Sequence, residues 1–343
     1  MSKKRSAECH CDKKRALSKA KSKGYNTHMK ERILSGIRAS GRLHIGNYLG
    51  ALKQFVDLQN AGNHEYYFFI ADLHALTTPF EPKELAENTL QVAADYLAAG
   101  IDPEKSVFFL QSHVLEHAEL GWIFSCLTPL GELQRMTQFK DKSKDQNSIN
   151  SGLLTYPTLM AADILLYKPT TVPVGDDQVQ HVELTRDIAK KFNNRFGETF
   201  PIPKTLEKKP LRIMSLTDPT KKMSKTGDEA LMLDDEPEEI LRKLKKAVTA
   251  TDTEAGSPGV ENLKFLLEQF GGHAQVKDFS KYSEVKETLA KVIADYFAEF
   301  RTKKAQLLAN PDEIKQILET GAAKAQKVAV ETLNEVKTKI GLI

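Results

Sequence analysis

The chain has 343 residues, 41% of them hydrophobic, with a formal net charge of +3; this predicts about two domains with ordinary cores. No run approaches the roughly 18 consecutive apolar residues of a membrane helix, and the amino terminus lacks the apolar stretch of a secretory signal. Three cysteines, Cys9, Cys11 and Cys126, cannot build a disulfide framework, so a soluble protein in a reducing, cytoplasmic setting is expected.

The charge is unevenly placed. Residues 1–30 carry ten Lys/Arg and two Asp/Glu, a net of +8 that leaves −5 on the remainder. Residues 1–28 are rich in Lys, Ser and Ala, with no apolar periodicity before Ile33. They read as a disordered basic extension, either dispensable, with Met29 as an alternative start, or a weak arm for RNA phosphates. Cys9-His10-Cys11 is too cramped for the usual ligand spacings and lacks a second pair, so it is not assigned to metal.

A short apolar strand over 32–37 runs into a loop with Gly36, Ser40 and Gly41. Ile45, Tyr48, Leu49, Leu52, Phe55 and Val56 then fall on one helical face. Strand, glycine turn and helix in this order point free backbone N–H groups at an anion, with Gly46 allowing close approach. His44 and Asn47, three apart at the helix start, face the same side as donors. The plainer reading is ordinary helix capping.

The pattern repeats with a strand over 66–71, a helix over 82–97 and a strand over 107–110. Buried strands alternating with amphipathic helices predict a doubly wound parallel sheet. Ligands bind such sheets outside the carboxyl ends of the strands. Asp72 and His74 follow a strand end and either line the site or supply loop polarity. A helix over 115–127 holds Trp122 beside Cys126, both read as core or interface packing. Residues 140–150 are polar and read as a mobile loop, in which Lys142 either swings toward phosphate or, as most loop lysines do, stays solvated.

Thr155 to Tyr167 predicts an apolar helix containing a lone acid, Asp163. Met160 and Tyr156, one turn apart, share its face. A buried carboxylate needs a donor, supplied either by the protein or by a ligand N–H in an apolar pocket. A strand over 172–174 leads to Gly175-Asp176-Asp177-Gln178 and a helix faced by Val179, Val182, Ile188 and Phe192. The acids there cap the helix or accept ribose hydroxyls. A last strand is expected over 212–215.

Lys221-Lys222-Met223-Ser224-Lys225-Thr226-Gly227 follows. Lysines at i and i+3 with a hydroxyl between them make a doubly positive clamp suited to a leaving pyrophosphate; alone, such a turn is usually just solvated. Helices are predicted over 237–248, 262–270, 283–308, 312–320 and 322–340. Gly321 separates the last two, and Pro258, Gly259, Gly271 and Gly272 supply other breaks.

Ser40-Gly41 followed by His44-Ile45-Gly46-Asn47, with Lys222-Met223-Ser224-Lys225-Thr226 downstream, resembles the paired HIGH and KMSKS signatures of class I aminoacyl-tRNA synthetases. Residues 131–140, 160–167, 172–178 and 218–223 look like the bacterial tryptophanyl branch. The similarity runs from about Arg32 to the end, in order.

The resemblance implies a Rossmann-like α/β catalytic domain over 29–217, a KMSKS-type loop and helical anticodon-binding domain over 218–309, and helices of 310–343 packing back on the sheet. It implies a homodimer acting on L-tryptophan, ATP and tRNA(Trp). Mg²⁺ would be carried on the ATP phosphates, with no metal held by the protein. Carried over by position, Arg38, Ala39, Ser40, Gly46, Asn47, Gly175, Asp176, Asp177, the Ile213 backbone, Lys222, Met223, Ser224, Lys225 and Thr226 are expected to contact ATP. Asp163 is expected to accept the indole N–H, with Tyr156, Met160, Val172, Val174 and Gln178 forming the amino-acid pocket. The catalytic set is His44, Asn47, Lys142, Lys222 and Lys225.

This chain has Arg38-Ala39 where the family usually has Gln-Pro, Leu34 where phenylalanine is usual, and Thr226 for the last serine. These departures look like the divergent branch that includes auxiliary synthetases. Three alternatives stand beside the ligase. A tyrosyl-tRNA synthetase would usually show histidine at Asn47. The others are a regulatory paralogue binding tryptophan, nucleotide or RNA, and a small-molecule nucleotidyltransferase, which leaves the helical module unexplained.

Overall fold

The computed structural model describes residues 31–144, 149–206, 211, 213–225, 227–249, 257–276 and 278–342. The basic extension with Cys9, His10 and Cys11, as well as Arg212 and Thr226, lies outside the described residues, as does the side chain of Asp176.

Five parallel strands form one sheet in the order β3-β2-β1-β4-β5. They are β1 (Arg32–Arg38), β2 (Glu65–Ala71), β3 (Val107–Leu110), β4 (Thr171–Val172) and β5 (Lys204–Thr205). Successive residues of a strand face opposite sides of the sheet, and here both sides are covered. Ile33, Tyr66, Phe68, Ile70 and Phe108 enter one apolar core. Leu34, Tyr67, Phe69, Ala71 and Phe109 enter the other. This explains why β2 reads as an unbroken apolar run.

The helices, in chain order, begin with α1, which runs from Ile45–Asn47 through a π-helical turn at Tyr48–Leu52 into Lys53–Ala61. Then come α2 (Pro82–Ala98), α3 (Glu116–Leu127), α4 (Leu130–Gln134), α5 (Thr137–Lys144), α6 (Ser151–Leu166) and α7 (Val179–Phe196). After the lysine segment come α8 (Pro237–Lys246), α9 (Pro258–Gln269), α10 (Tyr282–Tyr296), α11 (Ala298–Ala309) and α12 (Pro311–Ile340).

Several expectations are corrected. Residues 140–144 belong to α5 rather than to a loop. No strand forms at 213–215; Met214 makes only an isolated bridge to Lys222, and the fifth strand lies earlier, at Lys204–Thr205. The long helix expected over 283–308 is two, broken at Phe297. Gly321 does not end a helix: α12 passes through it unbroken. A Cβ there would lie 1.8 Å from the Phe108 carbonyl oxygen, so the glycine lets α12 press against β3. Pro258 likewise opens α9 at its first turn, where its missing N–H has no helical partner to lose.

Trp122 is 71% exposed and Cys126 is exposed, so neither is core. Among the described residues no helix is long and apolar enough to cross a membrane. Nor do three or more of their His, Cys, Asp and Glu residues gather as a metal-binding group.

Candidate active site

The chain leaves β1 for β2 on one side, while β4 lies on the other. The strand order therefore reverses between β1 and β4, where doubly wound sheets open a crevice. A cavity of about 650 Å³ lies there, a size that suits a small molecule. Leu34 and Arg38 of β1, Val172 and Val174 at and after β4, and Tyr156, Met160 and Asp163 of α6 line it, with Lys142, Gly175 and Gln178. Residues far apart in sequence thus share one pocket.

Asp163 is 1% exposed. Its carboxylate accepts from Gln111 Nε2 at 2.7 Å and pairs with His74 Nε2 at 2.7 Å and His117 Nδ1 at 2.6 Å. His117 Nε2 in turn meets the Tyr167 hydroxyl at 2.8 Å. Of the two sources of donors that the sequence leaves open, protein or ligand, the structure shows the protein's own: three partners, from β3's end, the segment after β2, and α3. Burial opposes its ionisation, but the His117 hydrogen bond and the His74 charge outweigh it and hold the carboxyl at about 2. A carboxylate offers about four acceptor positions; these partners take three of them, and Asp163 is among the residues that line the cavity. Gln111, His117 and Tyr167 were not singled out as site residues from the sequence; only the need of Asp163 for donors pointed to them.

Cations line the cavity too. Arg38 donates to the Ala75 carbonyl at 3.2 Å and to Thr78 Oγ1 at 2.5 Å, and burial lowers its pKa. Lys142 lies 5.7 Å from the Tyr156 ring centroid, and burial and the charge of Arg38 lower its pKa too. The Tyr156 hydroxyl meets His181 Nε2 at 2.8 Å, and burial pushes the phenol up to about 12. Asp72 spends its carboxylate on the Ser112 N–H at 3.0 Å, so it serves the loop rather than the cavity. Asp177 does not cap α7 as expected; it accepts from Gln178 Nε2 at 2.6 Å, and the N-cap Gln178 makes no side-chain capping bond.

Ala39, Ser40, Gly46, Asn47, Ile213 and the lysine segment do not line this cavity. They gather beside it, beginning one residue after Arg38. Lys225 Nζ donates to the Ser40 carbonyl at 2.8 Å, to Ser40 Oγ at 3.1 Å and to the Gly41 carbonyl at 3.1 Å. Two segments 184 residues apart are thereby joined. Met223 N–H donates to the Ile213 carbonyl at 2.9 Å, and Ser224 donates to Glu229. Lys222 is exposed.

His44 and Asn47 close a capping box at the start of α1. His44 Nδ1 accepts from the Gly46 N–H at 3.0 Å, and Asn47 Oδ1 accepts from the His44 N–H at 3.1 Å. The capping reading is therefore met, and these atoms are occupied. Because Nδ1 accepts, the neutral ring carries its proton on Nε2. Burial, then Lys225 and Lys222, lower its pKa to about 4, so the ring is neutral at pH 7. Burial also depresses Lys225, to about 8.

The pattern of the family described as tRNA synthetases class I (W and Y) matches residues 26–339. The tryptophan–tRNA ligase of Caldanaerobacter subterraneus is 49% identical over 327 residues, covering 91% of this chain and 99% of that one. Tryptophan–tRNA ligase 2 of Streptomyces avermitilis is 45% identical over 91% of this chain and 97% of its own length. A Campylobacter jejuni tryptophanyl-tRNA synthetase solved with ADP and tryptophan superposes with a TM-score of 0.81 at 39% identity, covering 90% of this chain and 99% of that one.

A parallel sheet whose strand order reverses between β1 and β4, together with the family match over residues 26–339, places the chain in the class I tRNA synthetases for tryptophan and tyrosine. It is an enzyme, an aminoacyl-tRNA ligase. Within the family it stands among the bacterial tryptophan–tRNA ligases.

Proposed function

We propose that the cavity bordered by Asp163 is the tryptophan subsite of this ligase, and that Arg38–Asn47 with Lys222–Thr226 forms its ATP site. The chain then joins tryptophan and ATP into tryptophanyl-adenylate, releases pyrophosphate, and passes the amino acid to tRNA(Trp). The observation that carries this reading is the seating of Lys225 on Ser40 and Gly41. It brings an ammonium to the glycine turn, two residues after Arg38, which lines the cavity.

The chemistry needs little more. A tryptophan carboxylate is ionised at neutral pH and attacks the α-phosphate without a general base, so positioning and electrostatics supply the rate. Lys142, Lys222 and Lys225, with Mg²⁺ carried on ATP, draw charge toward the leaving pyrophosphate. Neutral His44 offers an Nε2 hydrogen, and Asn47 its amide. Asp176, Asp177 and Gly175 take the ribose side, and the Ile213 backbone borders the base.

Asp163 reserves its fourth acceptor position for the indole N–H. Tyrosine and phenylalanine cannot supply that donor, and a site built around such a bond rejects the lacking analogue by roughly 10⁴ to 10⁵. Val172, Val174, Met160 and Leu34 give the ring an apolar slot, with Tyr156 and Gln178 at the amino-acid end.

The helices of 218–309 serve as the anticodon-binding domain and those of 310–343 return to the catalytic domain over 29–217. A homodimer is supported by Leu115, Trp122 and Leu130, which are 73%, 71% and 58% exposed on and beside α3. The enzyme works in the cytoplasm. Attachment of labelled tryptophan to purified tRNA(Trp) tests the reading. Charging is expected; adenylate formation without charging supports the regulatory paralogue that Arg38 and Leu34 suggest, and absence of both overturns the assignment.

A further inference from the structure

A second concentration of charge lies away from the cavity. Asp95 of α2 and Lys304 of α11 meet at 2.6 Å, with Asp95 wholly buried and Lys304 2% exposed. Lys304 also pairs with Asp234 at 2.8 Å. Asp234 is gripped by Arg42 through Nε at 2.9 Å and Nη2 at 2.5 Å, and Arg42 reaches Asp235 at 3.1 Å. Asp235 in turn meets the buried Lys243 of α8 at 2.6 Å. Three acids and three bases alternate from α2 and α11 to α8, with Arg42, beside Gly41, at the centre.

This network touches backbone as well. Asp95 Oδ2 accepts the Leu43 N–H at 3.1 Å. Asp235 Oδ2 accepts the Met232 N–H at 2.9 Å. Between them Leu43–Ile45 pairs with Leu231–Leu233, through Ile45 N–H to the Leu231 carbonyl and Leu233 N–H to the Leu43 carbonyl, each at 2.9 Å. The lysine segment is thus tied down on its carboxyl side to the residues that open α1. On its amino side, Ser215 N–H donates to the Lys221 carbonyl at 2.9 Å.

Buried ion pairs contribute little to stability compared with well-packed apolar residues. Burial, with the charge of Asp234, pushes the Asp95 carboxyl up to about 6 even beside Lys304. What the network supplies is geometry, because a point charge shared by two carboxylates holds three elements in one register.

We propose that Lys304 is a positioning residue for the ATP-dependent step: through Asp95 and Asp234 it fixes Leu43–Ile45 against Leu231–Asp235, and so sets Lys225 over Ser40. The proposal rests on the reading of these segments as the ATP site. It makes the register of α11 a determinant of the geometry at a site to which α11 contributes no ligand contact.

The test compares wild type with Lys304→Met, Asp95→Asn and the double variant Asp95→Asn/Lys304→Met. Tryptophan-dependent pyrophosphate exchange is measured with separate KM values for ATP and tryptophan, together with Tm. Lys304→Met is expected to slow exchange or raise the ATP KM by roughly 10- to 100-fold, the range for a displacement of about 1 Å, with the tryptophan KM unchanged. The double variant, having one fewer unpaired buried charge, is expected to regain Tm without regaining the exchange rate. Recovery of rate along with Tm, or wild-type exchange in Lys304→Met, overturns the proposal. If Lys304→Met does not fold, Asp95→Asn and the double variant report the same split. Lys225→Ala is run in parallel; normal exchange there sinks the ATP-site reading itself rather than the role of Lys304.

Discussion

Asp163 shows how far one residue's chemistry is legible in a sequence. An acid in the apolar stretch Thr155 to Tyr167 must have partners, and that much follows from desolvation. Which partners cannot be read, because His74, Gln111 and His117 arrive from 46 to 89 residues away. Its folded pKa of about 2 lies below the ordinary value of about 3.9. The pairing therefore stabilises the fold above the ordinary value, and that stability is lost as pH falls toward 2. Asp163→Asn turns one acceptor into a donor facing two imidazoles and an amide. It is expected to cost about 1–3 kcal/mol of stability. The preference for tryptophan over tyrosine in pyrophosphate exchange should also fall at least ~100-fold. An unchanged preference would remove Asp163 from the specificity account.

Lys225 makes a second residue-scale prediction. With its pKa lowered to about 8, it is charged at neutral pH and loses charge as pH rises through that value. In the free enzyme, kcat/KM for ATP is expected to decline on an alkaline limb near pH 8. Lys225→Arg, whose guanidinium keeps its charge above pH 12, should move that limb upward. A limb that stays put in the variant would assign it to another group.

At the scale of elements, β1, β2, β3 and the helices between them were visible because their apolar runs and periodicities are long. The two-residue β5 was not, since Lys204 and Thr205 carry no strand signal and pair only by following β4. Gly321 misled for a physical reason: glycine marks a helix end in many sequences, but here it marks contact between helix and strand. Gly321→Ala puts a methyl group 1.8 Å from the Phe108 carbonyl oxygen, so α12 must shift off β3. A loss of about 1–3 kcal/mol is expected in denaturant or thermal unfolding. Wild-type stability would mean that α12 and β3 do not meet this closely. The glycine turn is a strand-to-helix junction, as its sequence predicts, and His44 and Asn47 form the capping box that the plainer reading of that segment expects.

Across the whole molecule, the pairing of early and late segments was the most legible feature, because two weak motifs became informative together. What was not legible was their mechanical linkage through Arg42, Asp234, Lys304 and Asp95, which depends on α11 packing against α2. The exposed Trp122 of α3, with Leu115 and Leu130 beside the helix, also belongs to this scale. On the homodimer proposed above, Trp122→Glu is expected to shift the sedimentation of the protein from dimer to monomer at micromolar concentration, since a carboxylate cannot be buried there unpaired. Dimers persisting unchanged would place the subunit contact elsewhere.

The central claim is that Lys225 and the turn at Ser40–Gly41 act on the same ATP beside a tryptophan-filled cavity. Tryptophan-dependent ATP–pyrophosphate exchange by Lys225→Ala, set against the tryptophan affinity of the same variant, tests it most directly. The account predicts exchange reduced by about 100-fold or more, in line with the loss of a transition-state charge contact, with tryptophan affinity near wild type. Exchange at the wild-type rate would contradict it.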